Sequence, residues 1–410
     1  MKNYEEMYEY LKERNATHLL KFYDELSAEE QTNLLEQIET IDFDLMKSLY
    51  DNRDVIPDSE NKIEPIGFTK FDDISEEDKK RYITLGEEVI KNKKMAVCQL
   101  AGGQGSRLGH KGPKGTFIVE LDTPKSIFEL FAEKLHAVYN KYGVKIQWYV
   151  MTSEDNDEET QNFFASHSFF DYGKENITFF KQGELPLLNY NGNPVLASKG
   201  KVFKAADGNG GVYEALRKNN ILEELEANGV ELLGIGNVDN ILIDFFEPTF
   251  LGMMVEQNRK VAMKSVTKVS PEEKVGVACK INGKPGVVEY TEISEEMANL
   301  RDENGNLVYG ESYFGFVVYT TAFLKEIAKG LTYHVAKKKN SYIDEEGNEV
   351  IGEEPNTYKF EMFIFEGFGF ADDMLVLSVD RKKNFAPIKN KEGQDSPETA
   401  IKLYNDFIKG

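Results

Sequence analysis

The sequence predicts an α/β fold with a mixed, mostly parallel sheet, a helical N-terminal region and a small C-terminal subdomain. From Met95 onward, short apolar runs alternate with helical stretches, which is typical of a parallel sheet covered by helices. Helix start signals dominate the preceding residues, and a turn-rich stretch follows Tyr342. We therefore expect a helical region over 1–92, a core domain over 93–341 and a C-terminal subdomain over 342–410.

The N-terminal region carries the signals of successive helices. Apolar residues recur at helical spacing over 19–26, and Ser27 with Glu30 forms a capping box ahead of a second apolar run. Ser75 with Asp78 repeats this start signal before a third run. None of these runs carries a chemical motif, so we expect a helical lid or an oligomerisation arm.

The core domain shows the alternation most clearly. Its predicted parallel strands are 95–100, 146–151, 177–180 and 231–235. Its predicted helices are 126–142, 159–166 and 211–225. Further strand-like runs predict an antiparallel extension, and these are 261–268, 276–281, 287–293 and 314–319. Because ligands of open parallel sheets bind beyond the carboxyl ends of the strands, the loops that follow those ends are the expected site.

The composition limits the classes of partner. The chain has 410 residues and a formal net charge of −22, whereas nucleic acid and anionic membranes require a basic face. Cys98 and Cys279 form no CxxC pair, and the five histidines show no zinc spacing. The N-terminus lacks the apolar segment of a signal peptide, and no stretch is apolar enough to cross a bilayer. We expect a cytoplasmic protein with no nucleic-acid or membrane partner.

A glycine-rich loop follows the first predicted strand of the sheet. It reads Leu-Ala-Gly-Gly-Gln-Gly-Ser-Arg-Leu-Gly over 100–109 and continues to Pro-Lys-Gly at 113–115. Glycines let backbone N–H groups approach an anion closely, and Arg107 and Lys114 add positive charge. A Walker A motif is excluded because glycine follows Lys114, and a dinucleotide fingerprint is excluded because Leu108 takes the place of its third glycine. The alternative is an ordinary strand-to-helix turn.

This loop resembles the nucleotide-binding signature of the eukaryotic-type UDP-sugar pyrophosphorylases, most closely the UDP-N-acetylglucosamine pyrophosphorylases. Further motifs follow in the family's order with similar spacing: Trp-Tyr-Val-Met-Thr-Ser at 148–153, Phe-Phe-Lys-Gln-Gly at 179–183, Asp-Gly-Asn-Gly-Gly at 207–211, Asn-Val-Asp-Asn at 237–240, Val-Val-Glu-Tyr at 287–290 and Pro-Ile-Lys-Asn at 387–390. The resemblance implies a Rossmann-like nucleotidyltransferase core, with 93–341 as the catalytic domain.

The resemblance also implies a uridylyltransferase that makes a UDP-sugar from UTP and a sugar 1-phosphate and releases pyrophosphate. Asp239 matches the family's metal-binding aspartate, so Mg²⁺ is the expected cofactor; from the residues alone, a simple strand terminator is an equal alternative. Arg107, Lys114 and Lys389 match the cations expected at the triphosphate. The expected nucleotide contacts are Leu100, Ala101, Gly102, Gly103, Gly105, Gln182 and Gly208.

The sugar contacts that the resemblance implies are Asn209, Glu289, Tyr290, Tyr313, Phe363 and Phe365. One position departs from the family, which has Gly-Asn where this chain has Ser312-Tyr313. We expect UDP-N-acetylglucosamine as the product. The alternatives are the same reaction on glucose, galactose or N-acetylgalactosamine 1-phosphate, and a catalytically silent UDP-sugar-binding protein.

Overall fold

The computed structural model describes residues 2–54, 61–328 and 330–409. Its α-helices, in chain order, are α1 (Tyr4–Lys12), α2 (Ala28–Glu39), α3 (Phe43–Asp51), α4 (Glu76–Lys91), α5 (Ile127–Tyr142), α6 (Asp157–Ser166), α7 (Val212–Lys218), α8 (Ile221–Ala227), α9 (Pro248–Glu256), α10 (Glu295–Asn299), α11 (Thr321–Ile327), α12 (Arg381–Asn384) and α13 (Pro397–Lys409). Short 3-10 helices lie at Thr17–Leu20, Tyr23–Glu25, Phe71–Asp73, Ser106–Leu108, Lys114–Thr116, Ser168–Asp171, Lys174–Asn176, Asn209–Gly211 and Ile364–Phe370.

The strands, in chain order, are β1 (Ile63–Pro65), β2 (Thr69–Lys70), β3 (Met95–Leu100), β4 (Ile118–Val119), β5 (Lys125–Ser126), β6 (Trp148–Thr152), β7 (Ile177–Lys181), β8 (Glu184–Pro186), β9 (Leu188–Asn189), β10 (Leu196–Ser198), β11 (Lys201–Val202), β12 (Lys204–Ala206), β13 (Leu232–Asn237), β14 (Val261–Thr267), β15 (Val277–Ile281), β16 (Lys284–Val288), β17 (Glu311–Thr320), β18 (His334–Lys338), β19 (Tyr342–Ile343), β20 (Glu349–Val350), β21 (Thr357–Glu361) and β22 (Leu375–Ser378).

The chain forms two compact units. The first comprises Met1–Ser59, Gly183–Gly211 and Leu331–Phe363, and the second comprises Glu60–Gln182, Val212–Gly330 and Ile364–Gly410. These bounds differ from the predicted 1–92, 93–341 and 342–410. β1 pairs with β15 and β2 pairs with β22, so both strands belong to the second unit. β22 also pairs with β14 of that unit, although it lies in the predicted C-terminal subdomain. A compact unit need not coincide with a domain, so the division into three domains stays a prediction.

The second unit is built on a sheet with the strand order β2-β22-β14-β17-β13-β3-β6-β7. The pairings of β17 with β13 and with β14 are antiparallel. The other pairings along this path are parallel. β17 therefore runs against the other strands, so it begins at the edge of the sheet where they end. The predicted mixed, mostly parallel sheet is confirmed.

Two inner strands of this sheet, β3 and β6, are buried along their whole length. All six residues of β3 and all five of β6 are buried, as expected of parallel strands covered on both faces. Trp148 of β6 packs against Phe131 of α5 with ring centroids 5.0 Å apart, and Phe131 packs edge-on against Phe245 at 5.2 Å. These aromatic contacts pack α5 against the sheet.

The predicted elements of the core differ from the structure mainly at their ends. The strand predicted over 95–100 is confirmed as β3. The single helix predicted over 211–225 is wrong, because the chain turns at Asn220 (φ 57°) and forms α7 and α8 instead. The strand predicted over 287–293 ends at Val288, where a turn begins.

The first unit combines the N-terminal helices with small antiparallel sheets ordered β18-β21-β9, β11-β10-β19-β20 and β12-β8. The predicted capping box at Ser27 is confirmed at the start of α2. Leu34 and Ile38 of α2 are buried with Leu188 and Tyr358 in one apolar core. Residues 19–26 form 3-10 turns rather than the predicted α-helix.

Candidate active site

The carboxyl-end edge of the central sheet carries most of the predicted site residues of the second unit. The glycine loop follows β3, Gln182 follows β7, and Asp239 lies two residues beyond the end of β13. Tyr313 also lies at this edge, because β17 begins there. The topology thus brings residues that are distant in sequence to the region where open α/β sheets bind ligands.

The glycine loop is held in place by hydrogen bonds from within and from outside. The Lys114 N–H donates to the carbonyl of Gly103 at 3.0 Å. The Asn156 side-chain amide donates to the carbonyl of Ala101 at 3.0 Å and is almost fully buried. A loop fixed in this way presents its N–H groups in one arrangement, which favours anion binding. Leu100, Ala101 and Gly105 are buried, Gly102 is half-buried and Gly103 is exposed.

Gly102 and Gln182, two of the predicted nucleotide contacts, lie against each other. A Cβ atom on Gly102 would lie 2.7 Å from Gln182 Nε2 and 2.8 Å from its Cδ, so no larger residue fits without moving the glutamine amide. The backbone of Gln182 is anchored to β6, because its N–H donates to the carbonyl of Thr152 at 2.8 Å. A side-chain amide offers both a donor and an acceptor, which suits the polar edge of a flat base.

Lys114 and Asp239 form an ion pair between the loops of two adjacent strands. Leu100 at the end of β3 lies opposite Asn237 at the end of β13, so the two loops begin side by side. Lys114 Nζ lies 3.3 Å from Asp239 Oδ2, and the two side chains are 16% and 15% exposed. The structure therefore brings together a predicted phosphate-binding cation and the predicted metal-binding carboxylate.

Asp239 fits the chemistry of a magnesium ion that arrives with a nucleotide. Within the described residues, no group of three or more His, Cys, Asp and Glu side chains could hold a metal by itself. Mg²⁺ in phosphoryl-transfer sites is bound by one or two carboxylates, with substrate phosphates and water as the other ligands. A single, mostly buried carboxylate beside an anion-binding loop is consistent with that arrangement.

Lys389 belongs to a segment that is hydrogen-bonded to the Asp239 loop. The Ile388 N–H donates to the carbonyl of Asp239 at 2.9 Å. Lys389 Nζ lies 3.8 Å from Asp395 Oδ2, and its side chain is 40% exposed. Burial raises the pKa of Asp395, while the positive charge of Lys389 lowers it. Lys389 thus lies one residue beyond the residue bonded to Asp239, with its side chain partly exposed and its ammonium near the Asp395 carboxylate.

Arg107 stands apart from these contacts. It is exposed on the 3-10 helix Ser106–Leu108 within the glycine loop. Its guanidinium forms no ion pair with the residues that the structure describes. Its role at the triphosphate therefore stays a prediction.

Strand register brings two predicted sugar contacts to one end of β15. Val277 of β15 pairs with Val288 of β16 and with Ser312 of β17. Glu289 and Tyr313 each follow one of those partners by one residue. The two side chains expected to hold the sugar therefore start from neighbouring backbone positions.

Their surroundings define the chemistry that each can offer. Burial raises the pKa of Glu289, and the nearby charge of Glu292 raises it further. The ring of Tyr313 packs edge-on against Phe365 at 6.3 Å and Phe368 at 5.7 Å. Burial also raises the pKa of Tyr313, which keeps its hydroxyl a neutral hydrogen-bond donor. Tyr290 is 44% exposed.

Gly208, Asn209 and Phe363 belong to the first unit. Gly208 has a φ of +89°, and a Cβ atom there would lie 2.3 Å from the carbonyl oxygen of Met362. The Gly210 N–H donates to that same carbonyl at 2.9 Å. Phe363 packs on His334 with ring centroids 5.0 Å apart. These contacts explain the glycines locally, and the ligand roles of the three residues stay predictions.

Sequence reasoning missed two buried asparagines at the carboxyl-end edge. Asn156 holds the glycine loop, as described above, and Asn240 bonds to the segment before Lys389. Both follow a strand end, where asparagine is common in turns, so the local pattern indicated only a turn. Their distant partners are what distinguish them.

Known proteins are similar to this chain over most of its length. The chain matches the family described as UTP--glucose-1-phosphate uridylyltransferase over residues 45–394. The UDP-N-acetylhexosamine pyrophosphorylase-like protein 1 of Homo sapiens is 38% identical over 413 residues, covering 95% of this chain and 82% of that protein. The UDP-N-acetylglucosamine pyrophosphorylase of Saccharomyces cerevisiae is 34% identical over 417 residues, covering 96% and 87%.

Solved structures show the same architecture. The uridine diphosphate N-acetylglucosamine pyrophosphorylase from Trypanosoma brucei in complex with inhibitor superposes with a TM-score of 0.83 at 30% identity, covering 95% of this chain and 82% of that one. A UDP-glucose pyrophosphorylase from Leishmania major, at 17% identity and a TM-score of 0.64, shares the fold. Within the described residues, no helix has both the length and the apolar character that a membrane span requires.

Proposed function

The chain belongs to the UTP–glucose-1-phosphate uridylyltransferase family, and we propose that it makes UDP-N-acetylglucosamine from UTP and N-acetylglucosamine 1-phosphate. The observation that carries the proposal is the Lys114–Asp239 pair beside the glycine loop at adjacent strand ends. That arrangement supplies one cation and one metal-binding carboxylate where a triphosphate would lie against backbone N–H groups.

In the proposed reaction, a phosphate oxygen of the sugar 1-phosphate attacks the α-phosphorus of UTP in line. The bond from that phosphorus to the bridging oxygen breaks, and pyrophosphate leaves. The attacking oxygen is already ionised, so the reaction requires no general base. Positioning and charge stabilisation by the protein therefore account for the rate.

Each charged residue has a separate task in this proposal. Asp239 would hold Mg²⁺, which when bound neutralises negative charge on the phosphate oxygens. Lys114 donates to the triphosphate from the glycine loop, and Arg107 adds positive charge from its exposed turn. Lys389 reaches the phosphates from the segment that is bonded to the Asp239 loop. Gln182 and Gly102 select the base.

The sugar preference rests on the end of β15. Glu289 in its ionised form accepts hydrogen bonds from sugar hydroxyls. Tyr313 replaces the asparagine expected from the family resemblance, and its ring is fixed against Phe365 and Phe368. A polar group that loses its partner discriminates strongly between substrates, whereas a small apolar difference does not. We therefore assign the choice among hexose 1-phosphates to Tyr313.

The direct test is pyrophosphate release from UTP and Mg²⁺ with a panel of sugar 1-phosphates. N-acetylglucosamine, N-acetylgalactosamine, glucose and galactose 1-phosphates are compared by kcat/KM, with Asp239→Asn as the metal-site variant. We expect the highest kcat/KM with N-acetylglucosamine 1-phosphate and loss of turnover in Asp239→Asn. Tyr313→Asn and Tyr313→Phe then separate the effect of the ring from that of the hydroxyl.

Two results would overturn parts of the proposal. A higher kcat/KM with another sugar would change the substrate and leave the reaction class intact. If folded protein still binds a UDP-sugar in calorimetry but shows no turnover with any sugar 1-phosphate, the proposed activity fails and the chain is a UDP-sugar-binding protein.

A cytoplasmic location is part of the same proposal. Cys98 and Cys279 are both buried and unpaired. Free thiols of this kind are typical of proteins in a reducing compartment. Cell fractionation with a tagged chain tests the location, and recovery in an oxidising secretory compartment would contradict it.

A further inference from the structure

Asn240 is a buried polar side chain directly after the predicted metal ligand. It is 3% exposed. Its Nδ2 donates to the carbonyl of Asn384 at 2.8 Å, and its Oδ1 accepts from the Ala386 N–H at 2.9 Å. The same Oδ1 accepts from the Leu242 N–H at 3.3 Å. The amide therefore uses both lone pairs of its oxygen and one of its two N–H groups on backbone partners.

These bonds are part of a short antiparallel pairing between two loops. Asn240 and Pro387 form a β-bridge. On one side of it the carbonyl of Asp239 accepts from the Ile388 N–H at 2.9 Å. On the other side the Ile241 N–H donates to the carbonyl of Ala386 at 3.3 Å. The Asn240 side chain adds two more bonds across the same junction, so it connects the loop of Asp239 to the segment that ends at Lys389.

We propose that Asn240 is a positioning residue that fixes Lys389 relative to Asp239, so that both charges meet the transferred phosphate in one geometry. The inference rests on the proposed function, because it assumes that Asp239 and Lys389 act on the phosphates. Asn240 itself contacts neither the phosphates nor the metal in this account. It acts only through the backbone that carries Lys389.

The role differs from that of an ordinary buried asparagine, because the segment has other sources of stability. Phe385, Ala386 and Ile388 are all buried in the main apolar core. The segment should therefore stay folded when the Asn240 amide is removed, but its register against the Asp239 loop should loosen. Displacing a catalytic group by about 1 Å can lower the rate by about a hundredfold.

The test is a double-mutant cycle between Asn240→Ala and Lys389→Ala, measured as kcat and KM for UTP in the folded full chain. We expect Asn240→Ala to lower kcat by about a hundredfold with little change in KM. In the Lys389→Ala background the same substitution should add almost nothing, because the group that it positions is already absent. Effects that multiply in the double variant would overturn the proposal.

A matched control separates positioning from stability. Asn189 in the first unit is also a buried asparagine, with Oδ1 accepting from the N–H groups of Asn191 and Asn193 and Nδ2 donating to Glu345. Asn189→Ala should lower the melting temperature to a similar degree and leave kcat unchanged. An equal loss of kcat in both variants would show that Asn240 acts through stability alone, which would overturn the proposal.

Two further measurements keep the outcome clear. If Asn240→Ala fails to fold, the cycle is repeated with Asn240→Asp, which keeps the volume and the acceptor oxygen, replaces the donor to Asn384 by a second carboxylate oxygen and adds a negative charge. Hydrogen exchange should show faster exchange of the Ala386 and Ile388 amides in Asn240→Ala, which removes the acceptor of the Ala386 N–H, and unchanged exchange would contradict the proposal. If wild-type protein shows no uridylyl transfer, the proposed function fails. If wild type is active and the cycle is multiplicative, only the role of Asn240 fails.

Discussion

Removal of the Lys114 ammonium should open the Asp239 carboxylate to a divalent cation in the absence of nucleotide. Lys114 Nζ lies 3.3 Å from Asp239 Oδ2, and no carboxylate cluster among the described residues offers the ion a second site. A metal ion that binds Asp239 in the free protein must first displace the Lys114 ammonium from the carboxylate. The ion is then repelled by the positive charge of that ammonium, which stays nearby. In Lys114→Gln both costs are absent, while the side chain keeps nearly its length.

The size of the effect follows from the distance and the burial. At 3.3 Å, two unit charges attract by about 1.3 kcal/mol in bulk water and by about 5 kcal/mol at an effective dielectric constant of about 20. With side chains 16% and 15% exposed, the pair lies between these limits. The cost of desolvating the two charges offsets part of the attraction. Since about 1.4 kcal/mol is tenfold in affinity, we expect metal binding to strengthen by about tenfold.

The assay uses Mn²⁺, which shares the oxygen ligands of Mg²⁺ and is followed by electron paramagnetic resonance and water-proton relaxation. The Kd for Mn²⁺ is measured without nucleotide in wild type, Lys114→Gln, and Lys114→Gln combined with Asp239→Asn. Lys111→Gln is the matched control, since it removes the same charge from an exposed position in the same loop. Equal Kd values in wild type and Lys114→Gln, or tighter binding in Lys111→Gln as well, would refute the reasoning.

Three further predictions concern the base, the first unit and the sugar. Gly102→Ala should raise KM for UTP by about tenfold, because the new Cβ displaces the Gln182 amide and one hydrogen bond to the base is lost. The melting temperature should change little, and an unchanged KM would contradict the contact. Gly208→Ala should lower the free energy of unfolding by about 2 kcal/mol or more, because φ is +89° and Met362 blocks the new methyl group. Chemical denaturation measures this change, and an unaltered free energy of unfolding would contradict the prediction. Burial raises the pKa of Glu289, so its acceptor form is lost on acidification at a higher pH than for an ordinary glutamate. KM for UDP-sugar in the reverse reaction should therefore rise as pH falls, and a rise that persists in Glu289→Gln would exclude this residue as its source.

The parallel part of the fold is predictable from sequence because its strands are covered on both faces. β3 is apolar at nearly every position, and such a run between turn signals has few interpretations. The glycine loop is also recognisable from the sequence, because an ordinary turn does not require several glycines together with Arg107 and Lys114. The carboxyl-end rule then predicts that Asp239 lies near this loop, and the structure places its carboxylate 3.3 Å from Lys114.

Strand order across the middle of the sheet is not predictable in this way. β17 lies between β13 and β14 and runs against both, although each of the three strands has an ordinary apolar pattern. Its direction is set by pairing with strands about 50 to 90 residues earlier in the chain, and local periodicity carries no information on that. The direction matters for the site, because it brings the start of β17, and with it Tyr313, to the carboxyl-end edge.

Asn240 shows why some site residues leave no local signal. A charged catalytic group or a glycine loop is recognisable because its chemistry depends on the residue type itself. The long-range partners of Asn240 are backbone groups 144 and 146 residues further along the chain, and every residue type offers a backbone carbonyl while all but proline offer an N–H. The partner segment therefore needs no particular residue types to bond to Asn240. The position of Asn240 after a strand end indicates only a turn. A residue that positions others through their backbone becomes visible only when the fold brings the two segments together.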